Sequence, residues 1–297
     1  LTNASAYALE ENVESQWIQI GGDIDGEASE DESGYSISLS SDGSIVAIGA
    51  IKNTFPEGSA NLSGHVRIYQ NNNGNWIQIG DDIDGEAAGD YSGNSVSLSA
   101  DGSVVAIGAN NNDGGGTNSG HVRIYQYNNN SWSQLGADID GEAAEDRSAS
   151  LSLSSDGSRV AIGAGSNDGN GSDSGHVRIY DYNGSAWVQV GGDIDGEAAG
   201  DAFGNSVSLS SDGSRVAIGA TLNDGNGSDS GHVRIYDYNG SAWVQVGADI
   251  DGEAANDKSG GNANISLSSD GTRVAIGAAY NDGANGADSG HVRVYSI

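Results

Sequence analysis

Apolar residues along this chain alternate with polar ones and do not recur at helical spacing. In SVSLS (95–99) serine alternates with Val96 and Leu98, the period of a half-buried strand. VVAIGA (104–109) sets Val105 and Ile107 on one face, with Val104, Ala106 and Gly108 on the other. The bulky face is suited to nest against the small face of a neighbouring sheet. HVRIYQY (121–127) sets His121, Arg123, Tyr125 and Tyr127 opposite Val122 and Ile124, and WIQIG (76–80) reads as a further strand. Asp101-Gly102, between the first two segments, is a preferred pair for a tight hairpin. Glycine-rich breaks separate the segments and leave no run long enough for a helix.

The pattern repeats. Tryptophans at 17, 76, 132, 187 and 243 are spaced by 59, 56, 55 and 56 residues, and each of the five histidines (65, 121, 176, 232, 291) sits in Ser-Gly-His-Val-Arg-(Ile/Val)-Tyr. Four short strands per repeat of this length predict a β-propeller blade. The predicted fold is therefore all-β: a five-bladed propeller of four-stranded blades, with the SVSLS strand innermost and the tryptophan strand outermost. The last copy ends at HVRVYSI (291–297) without a tryptophan strand, and the first begins with an orphan one, QWIQI (16–20). The two halves make one blade. The N-terminal strand is expected to pair beside 291–296 and close the ring, removing an exposed sheet edge. An open solenoid is the alternative, and it would carry distinct end caps. Residues 1–12 read as a leader or linker without the pattern of a signal peptide, and 13–297 as a single domain.

Composition narrows the function. Apolar residues are only 36% of the 297, a figure that suggests disorder until the ordered repetition is counted against it. Lys and Arg total 11 against 42 Asp and Glu, a formal net charge of −31 that repels phosphate backbones. Nucleic acid is thus not an expected partner. No stretch is apolar enough to insert in a membrane as a helix. Without cysteine there is no disulfide, thiolate metal site or cysteine nucleophile. Self-repulsion of this size is tolerated best where salt screens it, at a Debye length of roughly 3–4 Å in seawater. The expected location is extracellular, secreted or at a cell surface.

The acids are ordered. Asp-Ile-Asp-Gly-Glu-Ala-x-x-Asp occurs in every copy: Asp23, Asp25, Glu27, Asp31; Asp82, Asp84, Glu86, Asp90; Asp138, Asp140, Glu142, Asp146; Asp193, Asp195, Glu197, Asp201; and Asp249, Asp251, Glu253, Asp257. Oxygen donors at positions 1, 3, 5 and 9 around a glycine resemble the front of an EF-hand loop and suit a hard cation, Ca2+, although no acid stands at position 12. The alternative is that these side chains only cap turns. The last acid of each set precedes the inner strand, so Asp31, Asp90, Asp146, Asp201 and Asp257 are a second candidate, a cation ring at the channel mouth. A further Asn/Asp/Gly loop, clearest at 167–175 and 223–231, reads as a flexible turn or a weaker calcium loop; the first copy there holds Pro56.

His65, Arg67, His121, Arg123, His176, Arg178, His232, Arg234, His291 and Arg293 form a repeated polar face. It reads either as a sugar-binding surface, one site per blade, or as a buried network tying blades together through histidine, tryptophan and hairpin aspartate. One histidine per blade leaves the imidazoles too far apart to share a zinc ion among themselves.

Phe203-Gly204-Asn205-Ser206-Val207, then VAIGA (216–220) and GHVRIY (231–236), resemble the FG-GAP repeat of integrin α-chain propellers. Closer still is the likeness to DIDGEA/VAIGA/GHVR repeat proteins of marine bacterial and algal surfaces, over residues 16–297. The resemblance implies an extracellular propeller with calcium loops and a role in adhesion or recognition. This sequence departs from the integrin pattern in lacking the proline of Gly-Ala-Pro, in keeping Phe-Gly once, and in having a first hairpin too short to wrap a metal. Near-identical blades do not supply the unlike pair of groups that acid–base catalysis needs, so no enzyme activity is expected. The expected function is a calcium-binding adhesion or recognition module within a larger surface protein, monomeric, with a cell-surface glycan or protein as ligand. A multivalent lectin or a purely structural repeat are the alternatives.

Overall fold

The computed structural model describes residues 17–54, 62–261, 264–283 and 285–297. The leader or linker assigned to 1–12, residues 13–16 of the domain, and Pro56 lie outside the described residues.

Five antiparallel sheets follow one another. In the second, Ser92–Leu98 pairs with Val104–Ala109, that strand with His121–Asn128, and the last with Ser131–Gln134. A two-residue strand, Ile139–Asp140, also folds back on His121–Asn128. The first, third and fourth sheets repeat this order, with inner strands Ser33–Leu39, Ser150–Leu153 and Phe203–Leu209. The fifth has three strands, Ile265–Leu267, Arg273–Ala278 and His291–Ser296. The first four blades are therefore of the predicted four-stranded type, with the acidic loop adding a short extra strand.

The alternation read from the sequence decides the packing. Val96, Leu98, Val105 and Ile107 of the second blade pack on Ala47, Val66 and Ile68 of the first. The opposite face, Ala106, Val122 and Ile124, receives Leu151, Leu153, Val160 and Ile162 of the third. Bulky faces thus nest on small ones from blade to blade. Gly163 of the VAIGA segment allows a close approach, since a Cβ there would lie 2.0 Å from the carbonyl oxygen of Gly204. The serines of the inner strands also have partners. Ser38, Ser97, Ser152 and Ser208 each accept, through Oγ, the amide of a leucine in the next inner strand at 2.9–3.1 Å.

The Asp-Gly hairpins carry their own polar core. Asp101 accepts from Ser99 Oγ at 2.7 Å and from the Ser103 amide at 2.9 Å, and the other four hairpins repeat the arrangement. Amides link one hairpin to the next, from Ser41 to the carbonyl of Ala100, Ala100 to Ser155, Ser155 to Ser211 and Ser211 to Ser269. These bonds hold the hairpin carboxylates below their ordinary range, Asp42 and Asp270 at about 2. A depressed carboxylate stabilises the fold above its unfolded value of 3.8 and loses that effect as pH falls toward 2. The melting-temperature difference between wild type and Asp42→Asn should therefore be full at pH 5 and shrink steadily below pH 4. A difference that stays constant to pH 2 would show that the carboxylate charge contributes nothing there.

The predicted closure is not shown among the described residues. Residues 17–20 are not paired with His291–Ser296, whose one strand partner is Arg273–Ala278. They lie beside the first blade, where the carbonyl of Ile20 accepts from Trp76 Nε1 at 2.8 Å. The same bond joins each later tryptophan to the preceding outer strand, as Trp132 to Ile79, Trp187 to Leu135 and Trp243 to Val190. Residues 17–20 thus hold the place of an outer strand in front of the first blade. One face is left open at each end: Ile37 and Leu39 are 70% and 58% exposed, and Val292 and Val294 are 67% and 66% exposed, whereas their internal counterparts are buried.

Candidate functional site

Each acidic loop leaves the outer strand, runs beside the third strand of its own blade, then crosses to the next blade. The backbone pairs Asp84 with His65, Asp140 with His121, Asp195 with His176 and Asp251 with His232. The four acids of a loop consequently part company. The first acid stays near the histidine of the blade just left, while the Glu at position 5 reaches the histidine of the blade being entered.

Three groups from two successive loops and one strand converge in this way. Glu27, His65 and Asp82 form the first set, followed by Glu86, His121, Asp138, by Glu142, His176, Asp193, and by Glu197, His232, Asp249, each with ligand atoms within 4.8 Å of one another. In the first, His65 Nδ1 lies 3.9 Å from Glu27 Oε2 and 3.7 Å from Asp82 Oδ2. The histidines are buried and the glutamates exposed. Burial pushes His65, His121, His176 and His232 below the ordinary imidazole value, His121 to about 4, so these rings are uncharged at neutral pH. In the fifth blade His291 Nδ1 lies 3.6 Å from Glu253 Oε2, and the ring is only partly covered.

Position 3 has a different role. The main-chain carbonyls of Asp25, Asp84, Asp140 and Asp251 accept from Arg67, Arg123, Arg178 and Arg293 at 2.6–2.7 Å. Burial raises Asp84 and Asp140 above the usual carboxylate range. Arg234 differs from its counterparts: it forms a two-bond pair with the Asp249 carboxylate, at 2.8 and 2.7 Å, and also contacts Glu197. The guanidinium holds Asp249 below its ordinary value.

Position 9 is buried. Asp90 accepts from the Ala87 amide and from Asn112 Nδ2, both at 3.0 Å. Asp31 with Asn53, Asp146 with Asn167, Asp201 with Asn223 and Asp257 with Asn281 repeat the arrangement. These aspartates staple the acidic loop to the loop between the second and third strands and do not line the central cavity of about 820 Å3. The Asn/Asp/Gly loops at 167–175 and 223–231 are built of turns whose side chains cap their own backbone, as Asn167 Oδ1 does for Gly169.

The histidine and arginine face is largely inside. His65, Arg67, His121, Arg123, His176, Arg178, His232 and Arg234 are all buried, and His291 and Arg293, on the open face of the fifth sheet, are less covered. Tryptophan ties blades through main-chain carbonyls, and the hairpin aspartates bond within their hairpins, so neither belongs to a histidine network. What a linear reading of the loop missed is the pairing of position 5 with position 1 of the following loop. Its trace is the constant placement of glutamine four residues before the first acid, which the structure explains: Gln78 Nε2 donates to Asp82 Oδ1 at 2.6 Å, and Gln19, Gln134, Gln189 and Gln245 do likewise.

Sheets of this form, stacked face to face around an inner-strand cavity, define a β-propeller repeat protein. Residues 83–125 and 194–236 match the FG-GAP repeat. No curated protein matches the chain. Among solved structures, it is similar to a provisionally named 6-phosphogluconolactonase from Bacteroides fragilis, at 11% identity over 89% of this chain and 67% of that one, with a TM-score of 0.55. The β-propeller domain of the Trilobed protease from Pyrococcus furiosus aligns at 11% identity, over 88% of this chain and 68% of that one, with a TM-score of 0.47. Likeness at such identity is one of fold alone. Among the described residues no helix is long and apolar enough to cross a membrane.

Proposed function

We propose that the chain is an extracellular recognition module that binds Ca2+ through its acidic loops and presents one site per blade to a cell-surface glycan or protein. The observation that carries this reading is the recurrence of the same four-acid loop in all five copies of the repeat. Equal sites at regular intervals suit multivalent binding, in which weak contacts add through effective concentration. They do not suit acid–base catalysis, which uses unlike groups, so the module is read as non-enzymatic. Calcium would offset repulsion among loops that hold 20 of the 42 acids, and it supports a place in a saline, calcium-rich medium.

Adding millimolar Ca2+ to metal-free protein at low salt should raise the melting temperature. Each site filled at a hundredfold excess over Kd contributes about 2.7 kcal/mol. An unchanged melting temperature would sink the calcium reading.

Sugar binding has separate support. Asp82, Asp84, Tyr125 and Trp132 line a hollow of about 280 Å3 on the outer edge, and Asp23, Asp25, Tyr69 and Trp76 line an equivalent one of about 340 Å3. Aromatic faces beside carboxylates can stack on a sugar ring and accept from its hydroxyls. A glycan array probed with calcium present tests this, and a blank array removes the lectin reading.

A further inference from the structure

The Glu–His–Asp clusters have a feature that a set of crowded acids would not have. In the first cluster each carboxylate is held by one oxygen and turns the other to the imidazole. On the Asp side, Gln78 donates to Asp82 Oδ1 at 2.6 Å, which leaves Oδ2 facing His65 Nδ1 at 3.7 Å. On the Glu side, Arg67 Nη1 lies 3.4 Å from Glu27 Oε1, and Oε2 faces the same nitrogen. The second and third blades repeat the Glu geometry, with Arg123 3.5 Å from Glu86 Oε1 and Arg178 3.3 Å from Glu142 Oε1. Gln134 and Gln189 hold Asp138 and Asp193 as Gln78 holds Asp82. Outer partners that fix ligand orientation in this way are characteristic of metal centres.

The imidazole of the second cluster supplies an independent sign, whereas in His176 and His232 the buried nitrogen without a partner is Nε2. His121 is 1% exposed, and its Nδ1, the atom that faces Glu86 and Asp138, has no hydrogen-bond partner. A buried ring nitrogen without a partner costs free energy unless something fills the place. The carboxylate oxygens are too distant to do so directly, Glu86 Oε2 lying at 3.9 Å. A cation bound between them would supply that partner once the carboxylates draw in.

We propose that each Glu–His–Asp cluster is a site for a divalent cation of the zinc type, bound by imidazole Nδ1 and one oxygen from each carboxylate. Two carboxylates and a nitrogen suit Zn2+, with water completing the shell, whereas Ca2+ takes oxygen ligands. The site is distinct from a calcium loop and does not rest on the calcium reading. In the fourth blade Arg234 lies across Glu197 and Asp249, and filling that site requires it to turn to the main-chain position its counterparts occupy. Among the described residues Asp23, already held by Gln19, is not joined to a histidine, and Glu253 and His291 are not joined to a second carboxylate. They form a fifth site if the chain ends meet.

The test is titration of metal-free protein with ZnCl2 by calorimetry, and with Co2+ by visible absorption, in excess Mg2+ and Ca2+. Four equivalents are expected, or five with the ends together, with cobalt bands of a nitrogen-containing site. Glu86→Gln with Asp138→Asn, both exposed in the loops, should lower the count by one. Gln134→Ala should keep the count and weaken one site by about 10–100-fold. These variants leave the buried histidine in place, and an unchanged circular dichroism spectrum confirms that they fold. Less than one equivalent of zinc, or a count unaltered in the double variant, overturns the assignment. Calcium-dependent melting without zinc binding would overturn it too while leaving the calcium reading standing, and the reverse result separates them the other way.

Discussion

Gly175→Ala is expected to destabilise the chain by about 2–5 kcal/mol, combining about 1–2 for a left-handed backbone with about 1–3 for overpacking. Gly175 has φ +75°, and a Cβ there would lie 2.1 Å from the carbonyl oxygen and 2.5 Å from the amide nitrogen of Phe203. Those atoms belong to the inner strand of the next blade, which meets Gly175 in an isolated parallel bridge. Backbone on both sides cannot yield without moving one blade against another. Gly184→Ala is the control: its φ is +96°, but nothing lies within 4 Å of the added carbon, so only the conformational cost remains. Urea midpoints of the two variants should differ clearly. Equal midpoints would mean that the approach between blades at Gly175 is not tight.

The second large effect concerns the ends. Ile37 and Leu39 at one end and Val292 and Val294 at the other are copies of the two sides of every internal blade junction, so each end face is complementary to the other. A face repeated head to tail makes an interface that propagates between copies unless it closes on itself. At a salt concentration that screens the net charge of −31, the chain should associate end to end as its concentration rises. Val292→Asp with Val294→Asp should abolish this, since each buried, unpaired carboxylate costs several kcal/mol. Analytical ultracentrifugation reads the result. A monomer whose melting temperature falls on the double substitution would mean that the two ends of one chain meet instead. A monomer indifferent to it would show that the faces have no partner.

Much of the fold was legible from residue order alone. Strict alternation in SVSLS and VVAIGA set both strand type and which face is bulky, because side chains in a strand point to opposite sides in turn. The hairpins at Asp101-Gly102 and its equivalents were legible for a similarly local reason, as serine, aspartate and glycine satisfy the turn between themselves. The third copy shows the limit of spacing arguments. It has Ser148-Ala149 where the second has Ser92-Gly93-Asn94, and the bulge that shifts the register between Ser92 and Ser95 is absent from the shorter Ser150–Leu153 strand.

The candidate site was only half legible. Its residue types all stand in the loop motif, but Asp82, four residues from Glu86 along the chain, has as its partner in space Glu27 of the preceding loop, brought to it by His65. Asp90 was counted as a ligand of the same loop and turns out to be a buried staple to Asn112.

The sequence by itself determined the blade: its strands, its hairpin, its apolar faces and the fivefold repetition. All of these follow from contacts between near neighbours or from a period that any window reveals. Tertiary structure alone decided which carboxylates meet, which histidine nitrogen they face, and that residues 17–20 stand beside the first blade without joining the last. Those outcomes depend on the path of a loop between two sheets and the angle at which blades stack, quantities set by packing across the whole assembly and carried by no local pattern.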